Sequence, residues 1–332
     1  MRTVYLLITI DTEEDNWGYV RNGISVRNVK YLYLCQEILD RFSIKPIYLC
    51  TWSVLNDEHA IRILKEIYED CKCYIGAHLH PWNTPPLKEE LCAYNSHAKN
   101  LPCDLIERKV INLTDLIETQ FQISPIIFRT GRWGLGENVL MVLEKLGYRI
   151  DTSVSPFTNW EDDGKGQNFY FFPHLPYFLD SNGPLYKPAR DLDGILEIPV
   201  SIGFNRPPYS VWSNIFFLCE YPLLKLIKLR GILAKTGILR KIWLSPEQAD
   251  ARQMLSLTHV LLKSGINLLN LTFHSTSLKP GLSPFVKNEK DHRRFLGSLE
   301  EYLEGLNDMA EIKCLSPADL LRAAENGKIK CA

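Results

Sequence analysis

The stretch Thr3–Asp15, TVYLLITIDTEED, passes from an unbroken apolar run into four carboxylates, Asp11, Glu13, Glu14 and Asp15. The apolar part reads as a first buried strand. Its end has two readings. A strand can simply dissolve into an acidic loop. Alternatively, residues i and i+2 of an extended backbone point the same way, so Asp11 and Glu13 leave the sheet end together and form half of a metal site. A bulge after Asp11 would bring Glu14 inward in place of Glu13; the extended register favours Glu13.

Outward from that strand, short apolar runs alternate with segments of helical period, the pattern of βα units around a parallel sheet. KPIYLCTW, CYIGAHLH, SPIIFRT, RIDTSVSP, ILEIPVSI and NLLNLTFHS follow as strands, with helices over VRNVKYLYLCQEILDRFS, DEHAIRILKEIYEDC, 104–121, GENVLMVLEKLGY, SPEQADARQMLSLTHVLLKSG and 289–308. Residues suited to chemistry collect at the strand ends: Asp11 and Glu13, Trp52, His78 and His80, Arg129, then Asp151 and Ser153. Strand C-termini are where barrel folds place their active sites. The rhythm changes over about 159–245, which is rich in aromatics and proline. It reads as an insertion in a single barrel spanning 1–332, with one core strand at about 195–202 and an amphipathic helix near 214–235.

Bulk composition removes several classes. Lys and Arg total 38 against 39 Asp and Glu, for a formal charge of −1, and there is no basic block of the kind nucleic-acid binders carry. The nine cysteines are scattered without paired C-x-x-C spacing, which fits reduced thiols. Val4–Ile10 is too short for a secretory signal. The most apolar later stretch, NIFFLCEYPLLKLIKLRGILAKTGIL, is interrupted by Glu220, Pro222, Lys225, Lys228 and Arg230, whereas a membrane span needs about 20 largely uncharged residues. The expected location is therefore cytoplasmic. The 223–239 helix sets Lys225, Lys228, Arg230 and Lys235 beside aliphatics, so it either packs on the barrel or lies on the inner membrane face.

His78 and His80 in IGAHLHPW are also two apart at a strand end. Imidazole and carboxylate are ligands that a catalytic Zn²⁺ uses, three from protein with one position open to water. His274, in LTFHS, ends the last long apolar run. Arg129, in FRTGRWG, can hold a carboxylate bidentately. Trp17, Trp82, Trp133 and Trp160 lie in nearby loops and suit either packing or stacking on sugar rings.

The motifs fall in the order D-x-E, H-x-H-P, R-x-G-R-W-G, G-Y-x-x-D-T-S and L-x-F-H-S. In this ordered set the sequence resembles the polysaccharide deacetylase family (carbohydrate esterase family four, the NodB homology domain), and within it the WalW-like branch, over roughly residues 3–158 and 192–315. The resemblance implies an α/β fold, a distorted (β/α)7-type barrel, and metal-dependent removal of an N-acetyl group from an N-acetylhexosamine. The substrate would be a cell-surface polysaccharide or its lipid- or nucleotide-linked precursor. It further implies Asp11 as general base, with Glu13, His78 and His80 as metal ligands. Arg129 would orient Asp11, His274 would be the general acid and Asp151 would tune His274. Zn²⁺ is the implied metal, with Co²⁺ and Ni²⁺ as alternatives. Trp17, Trp82, Trp133 and Ser153 are the candidate substrate contacts. The more common family pattern has adjacent aspartates and histidines four apart, whereas both pairs here are spaced i, i+2. Two other functions remain: hydrolysis of another C–N or a glycosidic bond on the same barrel, and glycan binding without turnover.

Overall fold

Every expected apolar run forms a strand, and the computed structural model describes residues 2–180, 183–189, 192 and 194–332. The strands are β1 (Thr3–Thr12), β2 (Ile47–Cys50), β3 (Tyr74–Leu79), β4 (Ile127–Thr130), β5 (Ile150–Asp151), β6 (Tyr177–Leu179), β7 (Ile195–Glu197), β8 (Ile202–Phe204), β9 (Lys241–Trp243), β10 (Leu268–His274) and β11 (Glu311–Lys313). Nine form one curled sheet in the order β10-β1-β2-β3-β4-β5-β7-β6, with β11 beside the start of β1; all pairings are parallel except β6 with β7. This is an α/β fold with a parallel half-barrel. β8 and β9 form a separate antiparallel ribbon.

The helices are α1 (Leu32–Arg41), α2 (Trp52–Leu55), α3 (Glu58–Glu69), α4 (Cys103–Phe121), α5 (Glu137–Lys145), α6 (Tyr209–Leu218), α7 (Pro222–Leu226), α8 (Leu229–Lys235), α9 (Ala251–Lys263), α10 (Glu289–Met309) and α11 (Pro317–Glu325). Most cover the outer face of the sheet. There Ile8 and Ile10 share one core with Leu39 of α1, Leu64 of α3, Leu113 of α4, Leu143 of α5, Leu257 of α9 and Leu303 of α10.

The inner face carries a gradient that positions the site. Side chains alternate along a strand, so Leu7, Thr9 and Asp11 of β1 all face inward. Leu7 joins a second apolar cluster with Ile47, Leu49, Ile127, Ile150, Leu196 and Leu268, closed from below by Leu320, Ala323 and Ala324 of α11. One layer higher stand Thr9, Arg129, Thr152 and Asn270, and above them Asp11, His78 and His274. In the strand register Thr9 lies opposite Thr272, Asp11 opposite His274, and His78 opposite Arg129.

Hydrogen bonds outside the ladders tie the chain after β7 to β10. Ser201 N donates to Asn270 O at 3.0 Å, Asn270 N to Ser201 Oγ at 2.9 Å, and Asn270 Nδ2 to Ile198 O at 3.2 Å. The segment after β7 thus meets β10 through Asn270.

The 159–245 region departs from expectation in two places. The single strand at 195–202 divides into β7, inside the main sheet, and β8, outside it. Pro199 lies between them and has no N–H to continue a ladder. The single helix becomes three, because Pro222 lacks an amide donor and Lys228 adopts φ +53° between α7 and α8. The strand expected over 149–156 is only Ile150–Asp151. Edge strands β6 and β11, and helix α11, are additions. All nine cysteines are free thiols, in keeping with their spacing.

Gly76 of β3 shows how closely the inner layer is filled. A Cβ there would lie 2.6 Å from Leu49 Cδ2 and 2.7 Å from Ile127 Cγ2. Gly76→Val should therefore overpack the lower barrel and destabilise it by about 1–3 kcal/mol, read as a lower midpoint in thermal unfolding; an unchanged midpoint would contradict this packing.

Candidate active site

All four carboxylates of the opening stretch have distinct partners. Asp11, still within β1, meets the fully buried Arg129, whose Nη1 donates to Asp11 Oδ1 at 2.6 Å. Glu13, one residue beyond the strand, points the same way as Asp11, and its amide donates to Ser275 Oγ at 3.1 Å. Glu14 turns to the other side and accepts from His80 Nδ1 at 2.8 Å and Asn83 Nδ2 at 2.7 Å. Asp15 clamps the following loop, accepting from Ser25 Oγ at 2.5 Å and from Asn28 N at 2.9 Å.

Arg129 has five N–H donors, and all five are used. Nε bonds Thr152 O; Nη1 bonds Asp11 and Thr272 Oγ1; Nη2 bonds Thr9 Oγ1 and Thr152 Oγ1. It is thus no surface ion pair, and it fixes one oxygen of Asp11. The other oxygen, Oδ2, lies 3.7 Å from His274 Nε2 and 3.9 Å from His78 Nε2.

The histidines are held in the tautomer that suits metal binding. His78 Nδ1 faces the Arg129 carbonyl at 3.1 Å, and His80 Nδ1 faces the Glu14 carboxylate. An acceptor opposite Nδ1 requires the proton there, which directs each Nε2 inward; His78 offers its lone pair directly, and His80 does so once its second proton leaves. His80 Nε2 lies 3.4 Å and His78 Nε2 3.9 Å from Glu13 Oε2. Glu13, His78 and His80 are buried, and a ligand atom from each lies within 4.8 Å of the others. Donors about 2.0–2.1 Å from a tetrahedral ion sit about 3.4 Å apart, so the trio fits a divalent metal, and Glu13, not Glu14, completes it.

The surroundings are built to keep His80 in place. Buried Lys109 of α4 donates to the carbonyls of Pro81, Thr84 and Pro86 at 2.9, 2.7 and 2.8 Å, stapling the PWNTPP loop. Trp82 stacks on the His80 ring with centroids 4.1 Å apart. On the opposite side, a Cβ on Gly131 would come 2.5 Å from His80 Cδ2. The next two residues, Arg132 and Trp133, both take positive φ, +54° and +56°, a strained backbone of a kind that collects at functional sites.

Charge is distributed unevenly. Burial opposes ionisation of Asp11, but Arg129, His78 and His274 outweigh it and hold the carboxyl below its ordinary range. Burial pushes Glu13 up. Desolvation, with the charges of His80 and Arg129, takes His78 down to about 3. Burial also disfavours the cationic forms of His80 and His274. Glu14 and Glu13 nevertheless raise His80 to about 9, and Glu247 with Glu13 and Asp11 raise His274 to about 10.

Glu247 is the residue the sequence reading missed. Both its oxygens meet His274 Nδ1, at 3.0 and 3.2 Å, and Oε1 also accepts from the His274 amide and Ser277 Oγ. It precedes α9, whose start is fixed by a reciprocal Asp250–Gln253 capping box.

Asp151, expected to tune His274, does not reach it. Ile150 and Thr152 face the barrel interior, so by alternation Asp151 and Ser153 face the other way. Asp151 accepts from Ser153 N and Oγ at 3.0 and 2.8 Å and lies opposite Glu197 of β7; burial pushes both carboxyls up, Glu197 the further. Ser153, expected among the substrate contacts, is likewise fully buried, with its Oγ accepting from Thr130 N.

The site opens into a cleft of about 650 Å³ lined by Asp11, Glu13, His78, His80 and His274, with Trp17, Trp82, Trp133, Trp160 and Trp243 around them. Trp17 is about half exposed and meets the His274 ring edge-on at 5.0 Å. Trp82 is almost wholly covered by its stack on His80. Trp133 faces Trp243 at 5.8 Å.

No protein-family model and no curated protein matches the sequence. Solved structures do match the fold. A protein described as a polysaccharide deacetylase, from Mycobacterium smegmatis, aligns at 14% identity over 99% of this chain and 93% of its own, TM-score 0.54. One described as a glycoside hydrolase/deacetylase, from Parabacteroides distasonis, aligns at 11% over 97% and 71%, TM-score 0.57. The 4-alpha-glucanotransferase of Thermococcus litoralis aligns at 12% over 97% of this chain and 40% of its own, TM-score 0.51. The shared feature is the half-barrel itself. Since a glucanotransferase has it too, the fold alone does not select the reaction.

Proton and metal compete for His80 Nε2. Because His80 is protonated below about 9 and His78 only below about 3, one proton must leave on metal binding at neutral pH. Calorimetric Zn²⁺ or Co²⁺ affinity should fall about tenfold per pH unit as pH drops below about 9, and Glu13→Gln should weaken it at every pH. Affinity flat across pH 6–9 would contradict competition between proton and metal at His80.

Proposed function

We propose that the protein is a metal-dependent N-deacetylase of the polysaccharide deacetylase family, WalW-like branch, acting on an N-acetylhexosamine in a cell-surface polysaccharide or its lipid- or nucleotide-linked precursor. One observation carries this reading: an ionised Asp11 and a protonated His274 face each other across 3.7 Å, beside a Glu13, His78 and His80 trio suited to a divalent ion. Zn²⁺ fits the nitrogen-rich donor set, with Co²⁺ and Ni²⁺ as alternatives. When bound there, the ion would lower the pKa of water toward about 7 and polarise the amide carbonyl.

The chain's own residues supply the remaining chemistry. Asp11 Oδ2 removes a proton from the attacking water as its oxygen bonds to the acetyl carbon. Arg129 keeps Asp11 ionised and fixed through its other oxygen. As the C–N bond breaks, His274 Nε2 delivers its proton to the departing sugar amine, and acetate is the second product. Glu247 holds Nδ1–H of His274, so that the Nε2 proton points at Asp11 and the cleft. Trp17 and Trp133 offer aromatic faces to the sugar.

A glucanotransferase shares the fold, and cleavage of a glycosidic bond is the second reading. That chemistry uses two flanking carboxyls, one ionised and one protonated, and Asp11 and Glu13 have pKa values pushed apart in that sense. The product separates the two: acetate in one case, a new reducing end in the other.

Metal-loaded protein should release acetate from N-acetylglucosamine oligomers. Asp11→Asn and His274→Ala should each lose on the order of 10²–10⁴-fold in rate. Glu247→Gln should retain activity but move the alkaline limb of the pH–rate profile to lower pH, since removing the negative charge lowers the pKa of His274. Equal acetate release by wild type, Asp11→Asn and His274→Ala would overturn the proposal, and new reducing ends without acetate would replace it with the glycosidic reading.

A further inference from the structure

The α6–α8 lobe has a buried side and a bare one. Tyr209 and Phe216 are buried and pack on Phe157 and Phe204, and Leu239 is buried in the same core. Away from them, Leu223 and Leu226 are each 79% exposed, and Leu218, Tyr221, Ile227 and Ile232 are each more than half exposed. Phe171, 77% exposed, extends the bare side by stacking on Phe217 of α6. Large exposed apolar groups gathered in one short segment mark an interaction surface.

Charge indicates what covers it. Residues 206–241 hold seven Lys and Arg and a single acid, Glu220, in a chain whose net charge is −1. Glu220 pairs with Arg230 at 2.6 Å. Arg206, Lys228, Lys235 and Arg240 are exposed, and among the described residues they have no carboxylate partner. No helix in the lobe, or elsewhere among the described residues, is long and apolar enough to cross a membrane. Short helices with bare aliphatics beside unpaired cations suit the interface of a bilayer with anionic headgroups.

We propose that the outer face of the α6–α8 lobe docks on an anionic lipid surface. Arg230, Lys241 and Trp243, from the same lobe and its β9 edge, also line the cleft, so docking sets the cleft beside the headgroups. Taken with the deacetylase reading, on which only this last step rests, the acetamido sugar is borne on a lipid.

The full chain is sedimented with phosphatidylcholine vesicles that contain or lack phosphatidylglycerol. Wild type should pellet with the anionic vesicles, much less with the neutral ones, and less in high salt. Leu223→Asp/Leu226→Asp and Lys228→Glu/Lys235→Glu should each reduce pelleting on the order of tenfold, with wild-type circular dichroism and wild-type acetate release from a soluble oligomer. Wild-type protein left in the supernatant, or variants that pellet equally well, would overturn the docking. So would a concentration-dependent dimer, seen without lipid and abolished by Leu223→Asp/Leu226→Asp, since a second copy would then cover the face. Loss of acetate release by wild type would sink the deacetylase reading and leave the pelleting result standing.

Discussion

A guanidinium with no solvent exposure sits inside the half-barrel, and its pairing with Asp11 constrains everything above it. Burying an unpaired ion costs several kcal/mol, and removing one partner of a buried pair typically costs about 3–5 kcal/mol. Arg129 avoids this only because five acceptors surround it. Asp11 supplies the opposite charge, and Thr9 of β1, Thr272 of β10 and Thr152 just past β5 supply oxygens. This explains why the inner face of the sheet turns polar two residues before the strands end. Below Arg129 the barrel is filled with aliphatics; above it stand Asp11, His78 and His274, with the Trp133 ring 5.4 Å from the guanidinium.

The same pairing sorts the charges in the cleft. With Asp11 held ionised, a proton on His274 is stabilised from one side by Asp11 and from the other by Glu247. His78, on the strand beside Arg129, is instead kept neutral by burial and by that cation, with its Nδ1 proton engaged by the Arg129 carbonyl. Two histidines therefore stand either side of Asp11 in opposite protonation states, one suited to donating a proton and the other to offering a lone pair. Asp151 and Glu197 lie on the far face of β5 and β7, where burial raises both carboxyls above their ordinary range.

Much of this was legible in the chain because sheet geometry has a period of two. The i, i+2 spacing of Asp11 with Glu13, and of His78 with His80, puts each pair on one face, and the apolar runs before them show where the strands end. The role of Asp151 beside His274 rested on the family resemblance alone, and the same period of two excludes it: Ile150 and Thr152 occupy the inward positions, so their neighbours cannot. Glu247 carried no such signal. It reaches His274 from a loop 27 residues upstream, and a long-range contact of that kind has no local pattern. The three-way break of the 214–235 helix was half visible, in Pro222, and half not, since the left-handed turn at Lys228 has no glycine to announce it. Glu14 was the alternative to Glu13, and the reversal of side-chain direction that takes it away from the candidate metal trio is what brings it to His80 Nδ1.

The most direct measurement is a crystal structure of the protein soaked with Zn²⁺, with anomalous scattering to place the ion. The account predicts one ion about 2.0–2.2 Å from Glu13, His78 Nε2 and His80 Nε2, with Glu14 still on His80 Nδ1 and Arg129 still on Asp11. An ion held by Glu14, or one that draws Asp11 away from Arg129, would contradict it.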